Sequence, residues 1–316
     1  MKKMSLFLFL IILISAGCRD NRLKGIWEEL PPLSESRAYP AGSCLNGKIY
    51  ITGGVSKGLT ARPYVDVFDI RSQTYVDRLT LPEESRAGHA QVVLEGEIWL
   101  IGGLGIPFVT DSVISYNPAT GEWTERKSLP YRLDFPAAEV VNGKIYVIGG
   151  KTPFPNEPVP YTLEYDPARD SWHEKKSMDI PRYLHDTAVL DGRIYVFGGQ
   201  NIKGGEIDMS VLEYNPESDS WTVAGTLPRP VRFHEAEPFG SHIAVIGGQS
   251  LEGAENYNNF LLFNPKEKTW QEGPVMMNPR MNFACAAVED TIYVFGGNIV
   301  KDEDYTSDLS ERYSLR

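Results

Sequence analysis

The chain has 316 residues, a net charge of −11 at pH 7 and a hydrophobic content of 42%. An acidic chain without a basic stripe is a poor partner for nucleic acid, whose phosphates attract Lys and Arg, so we exclude nucleic-acid binding. The same charge gives no attraction to anionic lipid, so contact with a membrane would need a separate anchor.

Residues 1–17 predict an export signal. Lys2 and Lys3 precede an unbroken apolar run, Leu6 to Ile14, which is followed by the small residues Ser15 to Gly17. The run is about half as long as a bilayer-spanning helix. This order of charged, apolar and small residues is typical of a secretory signal peptide.

Cys18 follows the small residues directly, which resembles the lipobox of bacterial lipoproteins. The resemblance implies that Cys18 is lipidated, for example by palmitate, and becomes the mature N-terminus, with residues 18–23 as a short lipid-anchored linker. The protein would then lie in the bacterial cell envelope, on the outer membrane or the cell surface, outside the cytoplasm. An ordinary signal peptide cut near Gly17 is the alternative.

A Gly-Gly pair recurs six times in the remaining chain, in steps of 47 or 49 residues. Each pair ends a short apolar run, and five of the six runs carry an aromatic as their second residue. A strict period near 50 built from strands indicates a stack of equivalent β units. The pairs are Gly53-Gly54, Gly102-Gly103, Gly149-Gly150, Gly198-Gly199, Gly247-Gly248 and Gly296-Gly297.

The third copy shows the elements of one unit. Phe135 to Val141 predicts a first strand, Asn142-Gly143 is a two-residue hairpin turn, and Lys144 to Ile148 returns as the second strand. Tyr161 to Tyr165 predicts a third strand, and Ser171 to Glu174 begins a fourth. One unit is therefore a four-stranded antiparallel sheet.

Two further marks recur in register with the Gly-Gly pairs. The turn Tyr165-Asp166-Pro167 has counterparts at residues 116–118, 214–216 and 263–265, and Trp172 has counterparts in Trp123, Trp221 and Trp270. This pattern resembles the Kelch repeat, over nearly the whole chain after the signal. The resemblance implies an all-β fold, a six-bladed β-propeller with four antiparallel strands per blade.

The two chain ends are expected to share the sixth blade. After Gly296-Gly297 the sequence supplies a third strand, Leu309 to Leu315, but no tryptophan follows. The segment around Trp27 reads like those around the other tryptophans, so residues 24–30 supply the missing outer strand. Residues 24–316 then form one closed propeller without free sheet edges.

An arginine column marks the expected ligand-binding face. We call the face that carries the second-to-third and fourth-to-first strand loops the top, since Kelch propellers usually bind there. Guanidiniums round the channel mouth would suit carboxylate, phosphate or sulfate ligands; alternatively, each arginine ties its own loop to a neighbouring blade. Arg37, Arg86, Arg182 and Arg280 share one register, and Arg132 and Arg232 lie one residue away from it.

Three histidines share a second column, three residues further on: His89, His185 and His234. Their spacing is not a local metal motif, so we expect neither a metal nor a cofactor and assign them by default to packing or hydrogen bonding. They are also candidate ligand-binding residues, and His185 is a candidate acid–base partner of nearby carboxylates.

Four acidic residues interrupt columns of small residues on the innermost strands: Glu139, Asp186, Glu235 and Glu237. A buried carboxylate is unfavourable unless it is paired or hydrogen-bonded, so this sector needs an explanation. One interpretation makes Glu139 and Asp186 ligand-binding and Glu235 and Glu237 catalytic, with shifted pKa values. The other is a water-filled channel in which these acids stay solvated.

Two functions remain open from the sequence. The first is a monomeric envelope lipoprotein that binds a protein, a peptide or an acidic glycan at the top face. The second follows from a more distant resemblance to exported bacterial sialic-acid mutarotases and implies a mutarotase or epimerase for an acidic sugar such as N-acetylneuraminate. Cys44 and Cys285 are expected to be free thiols, although an exported protein permits a disulfide between them.

Overall fold

The computed structural model describes residues 24–57, 60–82, 86–105, 108–201, 207–250, 255–299 and 306–315. They form six four-stranded antiparallel sheets arranged as the blades of a propeller, which confirms the predicted fold. No α-helix occurs among these residues, and none of them belongs to a helix long and apolar enough to cross a membrane. The predicted signal and Cys18 lie outside the described residues.

Within each blade the strands follow one another from the channel outward. Blade 1 consists of Ala41–Leu45, Lys48–Thr52, Tyr64–Asp69 and Thr74–Thr80. Blade 2 consists of Ala90–Leu94, Glu97–Ile101, Val113–Asn117 and Glu122–Arg126. Blade 3 consists of Ala137–Val141, Lys144–Ile148, Thr162–Asp166 and Ser171–Glu174.

The second half of the ring repeats this order. Blade 4 consists of Tyr183–Leu190, Arg193–Gln200, Ser210–Asn215 and Ser220–Thr226. Blade 5 consists of Glu235–Phe239, His242–Ile246, Phe260–Asn264 and Thr269–Glu272. Blade 6 consists of Ala284–Val288, Thr291–Phe295 and Ser310–Ser314, with Ile26–Leu30 as its outer strand. Two short hairpins extend top loops, Val55–Ser56 with Thr60–Ala61 and Lys151–Pro153 with Asn156–Pro158, and a third short pair joins Arg86–Ala87 to Leu104–Gly105.

The N-terminal strand closes the ring as predicted. Ile26–Leu30 pairs antiparallel with Ser310–Ser314, with Trp27 opposite Tyr313. Arg312 reinforces the pair through an ion pair with Glu28, at 2.8 Å between Nη2 and Oε2. Because the last strand of the chain thus gains a partner, it presents no free edge to other chains.

The Gly-Gly pairs lie where neighbouring blades come into close backbone contact. At Gly53 the φ angle is +59°, and a Cβ atom would lie only 2.1 Å from the carbonyl oxygen of Arg86 in the next blade. The N–H of Gly54 donates a hydrogen bond of 2.7 Å to that same carbonyl. A side chain at the first glycine would therefore push the blades apart, which explains the strict repeat.

The repeated tryptophans fasten the outer parts of neighbouring blades. In four blades the indole Nε1 donates a hydrogen bond of 2.7–2.8 Å to a backbone carbonyl of the preceding blade. The acceptor lies 44 or 45 residues earlier in three of them, and 247 residues later for Trp27, whose bond crosses the closure of the ring. Buried indole N–H groups normally find such a partner. The pairs are Trp27 with Pro274, Trp172 with Lys127, Trp221 with Lys176 and Trp270 with Thr226.

Candidate functional site

The top mouth of the channel is encircled by six equivalent residues, one from each blade, at or just before the start of the inner strand. All six have positive φ angles, between 49° and 58°, which is uncommon for bulky side chains. Five backbone N–H···O=C bonds of 2.9–3.1 Å connect neighbours in this ring. The members are Tyr39, Gly88, Phe135, Leu184, Phe233 and Asn282.

Three of these residues close the mouth. The ring centroids of Tyr39, Phe135 and Phe233 lie 5.4, 6.2 and 6.0 Å from one another in pairs. Because they come from alternate blades, they can be in mutual contact only on the channel axis. Gly88 leaves room for them, since a Cβ there would lie 2.8 Å from Phe135 Cε1. We call these three rings the aromatic plug. The sequence shows these aromatics beside the inner strands, but their meeting depends on closure of the ring.

Four of the six predicted ligand-binding arginines do not reach the mouth. Arg37, Arg86, Arg182 and Arg280 are fully buried, and each guanidinium donates hydrogen bonds within its own blade. Arg182, for example, donates to the carbonyl of Ser210 at 2.9 Å and to its Oγ at 2.6 Å, and pairs with Asp208 at 3.2 Å. The prediction that these four arginines form a ligand-binding ring at the mouth is therefore wrong. Their guanidiniums bind the start of the third strand of their own blade instead.

The two arginines outside the register behave differently. Leu133 and Val231 occupy the buried position in blades 3 and 5, at 0% and 2% exposure. A shift of one residue along an extended chain turns the side chain to the other side. As a result Arg132 is exposed and Arg232 half-buried on the top face. The departure of these two residues from the register was therefore the informative signal in the sequence.

Arg232 lies beside the aromatic plug. Its guanidinium carbon is 5.3 Å from the ring centroid of Phe233, and its Nη1 and Nη2 donate to the side-chain oxygens of Gln200 and Gln249 at 2.8 and 2.9 Å. No carboxylate forms an ion pair with Arg232 within the described part of the chain. Its positive charge is thus held in place by neutral groups.

A second cation stands near Arg232. Lys151 Nζ is 5.2 Å from the ring centroid of Tyr183, whose pKa is raised by burial and lowered in part by Arg232. Asp134 lies near Lys151, and burial raises its pKa to about 6 against the effect of that lysine. We call the group Lys151, Tyr183, Gln200, Arg232 and Gln249 the mouth patch.

The three histidines pack between blades. His89 Nε2 shares a hydrogen bond of 2.7 Å with Thr52 Oγ1, and His185 Nε2 lies 3.1 Å from the carbonyl of Ile148. The ring of His234 lies against Gly198, where a Cβ would be 2.9 Å from its Cε1. Burial lowers the pKa of all three, that of His185 and of His234 to about 3. The three histidines are therefore neutral side chains that pack against the preceding blade.

The four acidic residues line one cavity below the plug. Its volume is about 290 Å³, and the lower halves of the inner strands form its wall. The Asp186 carboxylate, which points toward blade 5, accepts a hydrogen bond of 2.6 Å from the N–H of Ala236. We call this space the lower cavity and name Glu139, Asp186, Glu235 and Glu237 the channel acids.

Burial and mutual repulsion favour the protonated forms of the channel acids. Burial raises the pKa of Asp186 to about 7 and, together with the charge of Asp186, that of Glu237 to about 8. The pKa values of Glu139 and Glu235 are raised well above the ordinary range by the same two causes. Each side chain keeps partial exposure to the channel. The sequence interpretation that they all stay solvated is therefore incomplete.

The predicted pairing of acids with His185 is not present. His185 reaches back to blade 3, whereas its strand neighbour Asp186 reaches forward to blade 5. Successive side chains of a strand point to opposite faces, so this separation is built into the strand. Within the described ranges no ion pair joins a histidine to a channel acid.

The lower cavity also contains the two cysteines of the propeller. Cys44 and Cys285 are free thiols, as expected. Burial raises the pKa of Cys285 well above its ordinary range, and the charges of Glu237 and Glu235 raise it further. Among the residues described, no group of three His, Cys, Asp or Glu side chains is arranged to hold a metal ion.

Comparison with known families identifies the repeats. Residues 135–311 match the KLHDC2/KLHL20/DRC7 Kelch-repeats domain, and residues 85–130 match the Kelch motif. The chain belongs to the Kelch-repeat family. Proteins of this kind commonly serve as interaction modules.

Curated Kelch relatives resemble parts of the chain. An F-box/kelch-repeat protein of Arabidopsis thaliana is 33% identical over 104 residues, which is 32% of this chain and 24% of the relative. Kelch repeat and BTB domain-containing protein 1 of camelpox virus is 30% identical over 142 residues, 44% of this chain and 25% of the relative. The chain thus spans about a quarter of the length of these relatives.

A solved structure resembles the whole Kelch propeller. The structure of YjhT superposes with a TM-score of 0.77 at 15% identity, covering 89% of this chain and 95% of that chain. At this identity the similarity establishes the fold and leaves the ligand open.

Proposed function

We propose that this Kelch propeller is a binding module that takes an anionic ligand at the mouth patch on its top face. The observation that carries the proposal is Arg232, whose guanidinium stands on Phe233 and is held by two glutamine oxygens without a carboxylate. The N–H groups of this guanidinium that do not bind the glutamines are the donors that would bind a carboxylate or phosphate group of the ligand.

The surroundings of Arg232 support a ligand with both charge and apolar surface. Lys151 adds a second positive charge, and the aromatic plug offers a closed, partly exposed floor. Phe108 and Phe154, in the top loops of blades 2 and 3, are 69% and 92% exposed. Arginine and exposed aromatic residues are enriched where proteins bind other proteins. An acidic protein segment or peptide fits this surface, and an acidic glycan is the alternative ligand.

The test begins with an array of acidic peptides and acidic glycans, followed by calorimetry on the strongest ligand. Replacing Arg232 by Gln is expected to weaken binding at least about tenfold, since charged pairs at interfaces contribute about 1.5 kcal/mol or more. Arg169→Gln is the matched control, because Arg169 is a 73% exposed arginine paired with Asp166 in a bottom turn. Equal affinities of the two variants would refute the mouth-patch proposal.

A catalytic function is the second candidate, a mutarotase or epimerase for an acidic sugar. Its support is that Asp186 and Glu237, with pKa values of about 7 and 8, can exchange protons near neutral pH in the lower cavity. Among the described residues, no lysine or arginine lines this cavity to bind the acidic group of such a sugar, so we rank this function second. Polarimetry with N-acetylneuraminate tests it, and a rate equal to that of Glu237→Gln would exclude it.

We further propose that Cys18 anchors the protein in the bacterial envelope through a lipid. The proposal rests on the apolar run followed by small residues and Cys18. The outer strand Ile26–Leu30 starts at the bottom of blade 6, so a short linker would leave the top face pointing away from the membrane. Labelling with a palmitate analogue tests this, and Cys18→Ser should abolish the label.

A further inference from the structure

The rim of the top mouth is built from one antiparallel backbone pair in each blade. The residue before each mouth-encircling residue pairs with the residue that follows the Gly-Gly pair of the same blade. Because these positions are equivalent in all blades, their side chains show how the rim differs from one blade to the next. We call them the rim pairs: Ala38 with Val55, Ala87 with Leu104, Asp134 with Lys151, Tyr183 with Gln200, Arg232 with Gln249, and Met281 with Asn298.

The rim pairs divide the mouth into two unlike sectors. In blades 3, 4 and 5 they are polar or charged, and Asp134 is buried there, whereas Lys151 and Arg232 are only half-buried. In blades 1 and 2 all four side chains are aliphatic, and Leu104 is 40% exposed. We call blades 1 and 2 of the rim the apolar sector. A ligand that covers both sectors needs one charged part and one apolar part.

The apolar sector is a packed part of the fold. Ala38, Val55 and Ala87 form a buried cluster, against which Tyr39 of the aromatic plug packs. Leu104 pairs with Val109 across the top loop of blade 2. The same short loop carries Phe108, which is 69% exposed. Exposed apolar side chains that lie together, rather than singly, indicate a binding surface.

The apolar sector and Arg232 lie on opposite sides of the aromatic plug. Each inner strand contacts the inner strands of the preceding and following blades, so blade 2 stands opposite blade 5 in the closed ring. Between Leu104 in blade 2 and Arg232 in blade 5 lie the half-buried plug rings. A ligand that contacts both residues must therefore extend across the plug.

This arrangement selects one class of ligand. An acidic sugar carries hydroxyl groups that Leu104 and Phe108 would leave without hydrogen bonds, which is unfavourable. An extended protein segment supplies a carboxylate and apolar side chains from one chain. We propose that the mouth binds such a segment across the plug, with an acidic side chain on Arg232 and an aliphatic or aromatic side chain on Leu104 and Phe108. The proposal rests on the binding function of the mouth patch and names its partner.

The experiment selects peptides from a random phage-displayed library on the full protein, on Arg232→Gln and on Leu104→Thr combined with Phe108→Ser. The unmodified protein is expected to enrich peptides that carry both an acidic and an apolar residue. Arg232→Gln should lose the acidic preference, and the double variant only the apolar preference.

The possible outcomes separate this proposal from the mouth-patch proposal. Acidic enrichment without apolar enrichment, or apolar enrichment that persists in the double variant, would overturn the partner proposed here and leave the mouth patch standing. An acidic preference that Arg232→Gln does not change would contradict both. Enrichment of no peptide, with binding to acidic glycans on the array, would also overturn the protein partner.

Calorimetry with the strongest selected peptide measures the contribution of the apolar sector. The double variant of Leu104 and Phe108 is expected to weaken binding at least about tenfold, since buried apolar side chains contribute strongly at interfaces. Val223→Ser is the matched control, because Val223 is 60% exposed on the outer strand of blade 4. Thermal melting verifies that the variants are folded. Equal affinities of the double variant and the control would refute the role of the apolar sector.

Discussion

The indole Nε1 of Trp27 donates a 2.7 Å hydrogen bond to the carbonyl oxygen of Pro274, 247 residues further along the chain. The bond joins the outer strand of blade 6 to blade 5, so the first described strand fastens the last two blades. The Trp27 ring also packs on Phe260 and Tyr313, at 5.9 and 5.6 Å between centroids. Closure of the propeller therefore depends on contacts between Trp27, near the start of the described chain, and the last two blades.

Replacing Trp27 by Phe is expected to lower stability by about 1–3 kcal/mol, because the Pro274 carbonyl loses its partner while most ring contacts remain. Deleting residues 24–30 is expected to prevent cooperative folding, since Ser310–Ser314 becomes a free edge. Urea unfolding measures both effects. A deletion variant with an unchanged midpoint would contradict the role of this strand.

Replacing Gly53 by Ala is expected to destabilise the protein by several kcal/mol, beyond the usual strain of about 1–2 kcal/mol for a left-handed residue. The added Cβ would meet the Arg86 carbonyl at 2.1 Å. Gly47→Ala is the matched control, because Gly47 has a φ angle of +73° but nothing within 4 Å of its added Cβ. Thermal melting should show a much larger loss for Gly53→Ala, and similar losses would show that strain alone matters.

Replacing Arg86 by Leu is expected to reduce stability by about 3 kcal/mol without changing ligand affinity. The change leaves the carbonyls of Leu100 and Ser112, which accept from Arg86 at 3.0 and 3.2 Å, without this donor. Leu133 fills the equivalent place in blade 3, so the side chain fits sterically. Chemical denaturation and the calorimetric affinity are measured together; lost affinity at full stability would restore the ligand role of this arginine.

The channel acids are expected to make stability fall as pH rises. Glu237 has a folded-state pKa of about 8, above its ordinary value of 4.5, so the native state holds a proton that the unfolded chain releases. Stability is then complete below about pH 4.5 and is lost progressively up to about pH 8. His185 and His234 act in the opposite direction only below pH 6.5, so the range from pH 6.5 to 8.5 isolates the acids.

In that range the melting temperature of the unmodified protein is expected to fall, and that of Glu237→Gln to fall less. Glu157→Gln, a change at an exposed residue of a top hairpin, should reproduce the unmodified profile. Scanning calorimetry measures the three profiles. Parallel profiles for the Glu237 variant and the unmodified protein would show that Glu237 is already ionised at neutral pH.

Much of the fold could be predicted because it rests on local signals. Asn142-Gly143, with φ angles of 51° and 73°, forms the turn that its sequence favours. The Gly-Gly pairs and tryptophans repeat at the blade period, so strands and blades could be counted directly. Even closure by Trp27 followed from a missing element, since one blade lacked its outer strand.

The candidate site could be predicted only in part. The sequence showed the acids at equivalent positions of the inner strands. Closure of the ring then brings them together around one cavity. The direction in which each side chain points could not be read from the sequence. The four arginines in register are fully buried, whereas Arg232, one residue later in its repeat, is half-buried on the top face. His185 and Asp186 are neighbours in sequence yet point to different blades.

The sequence by itself determined the number of blades, their strands, the closure and the identity of the residues on each inner strand, because these depend on period, turn chemistry and alternation along the chain. Only the tertiary structure decided what those residues do. The buried contacts of Arg37 arise when the strands of its own blade pair. Contact between Tyr39, Phe135 and Phe233 and the crowding of the channel acids arise between different blades, from residues far apart in the chain. Desolvation and repulsion depend on such distances in space, which a repeat pattern does not contain.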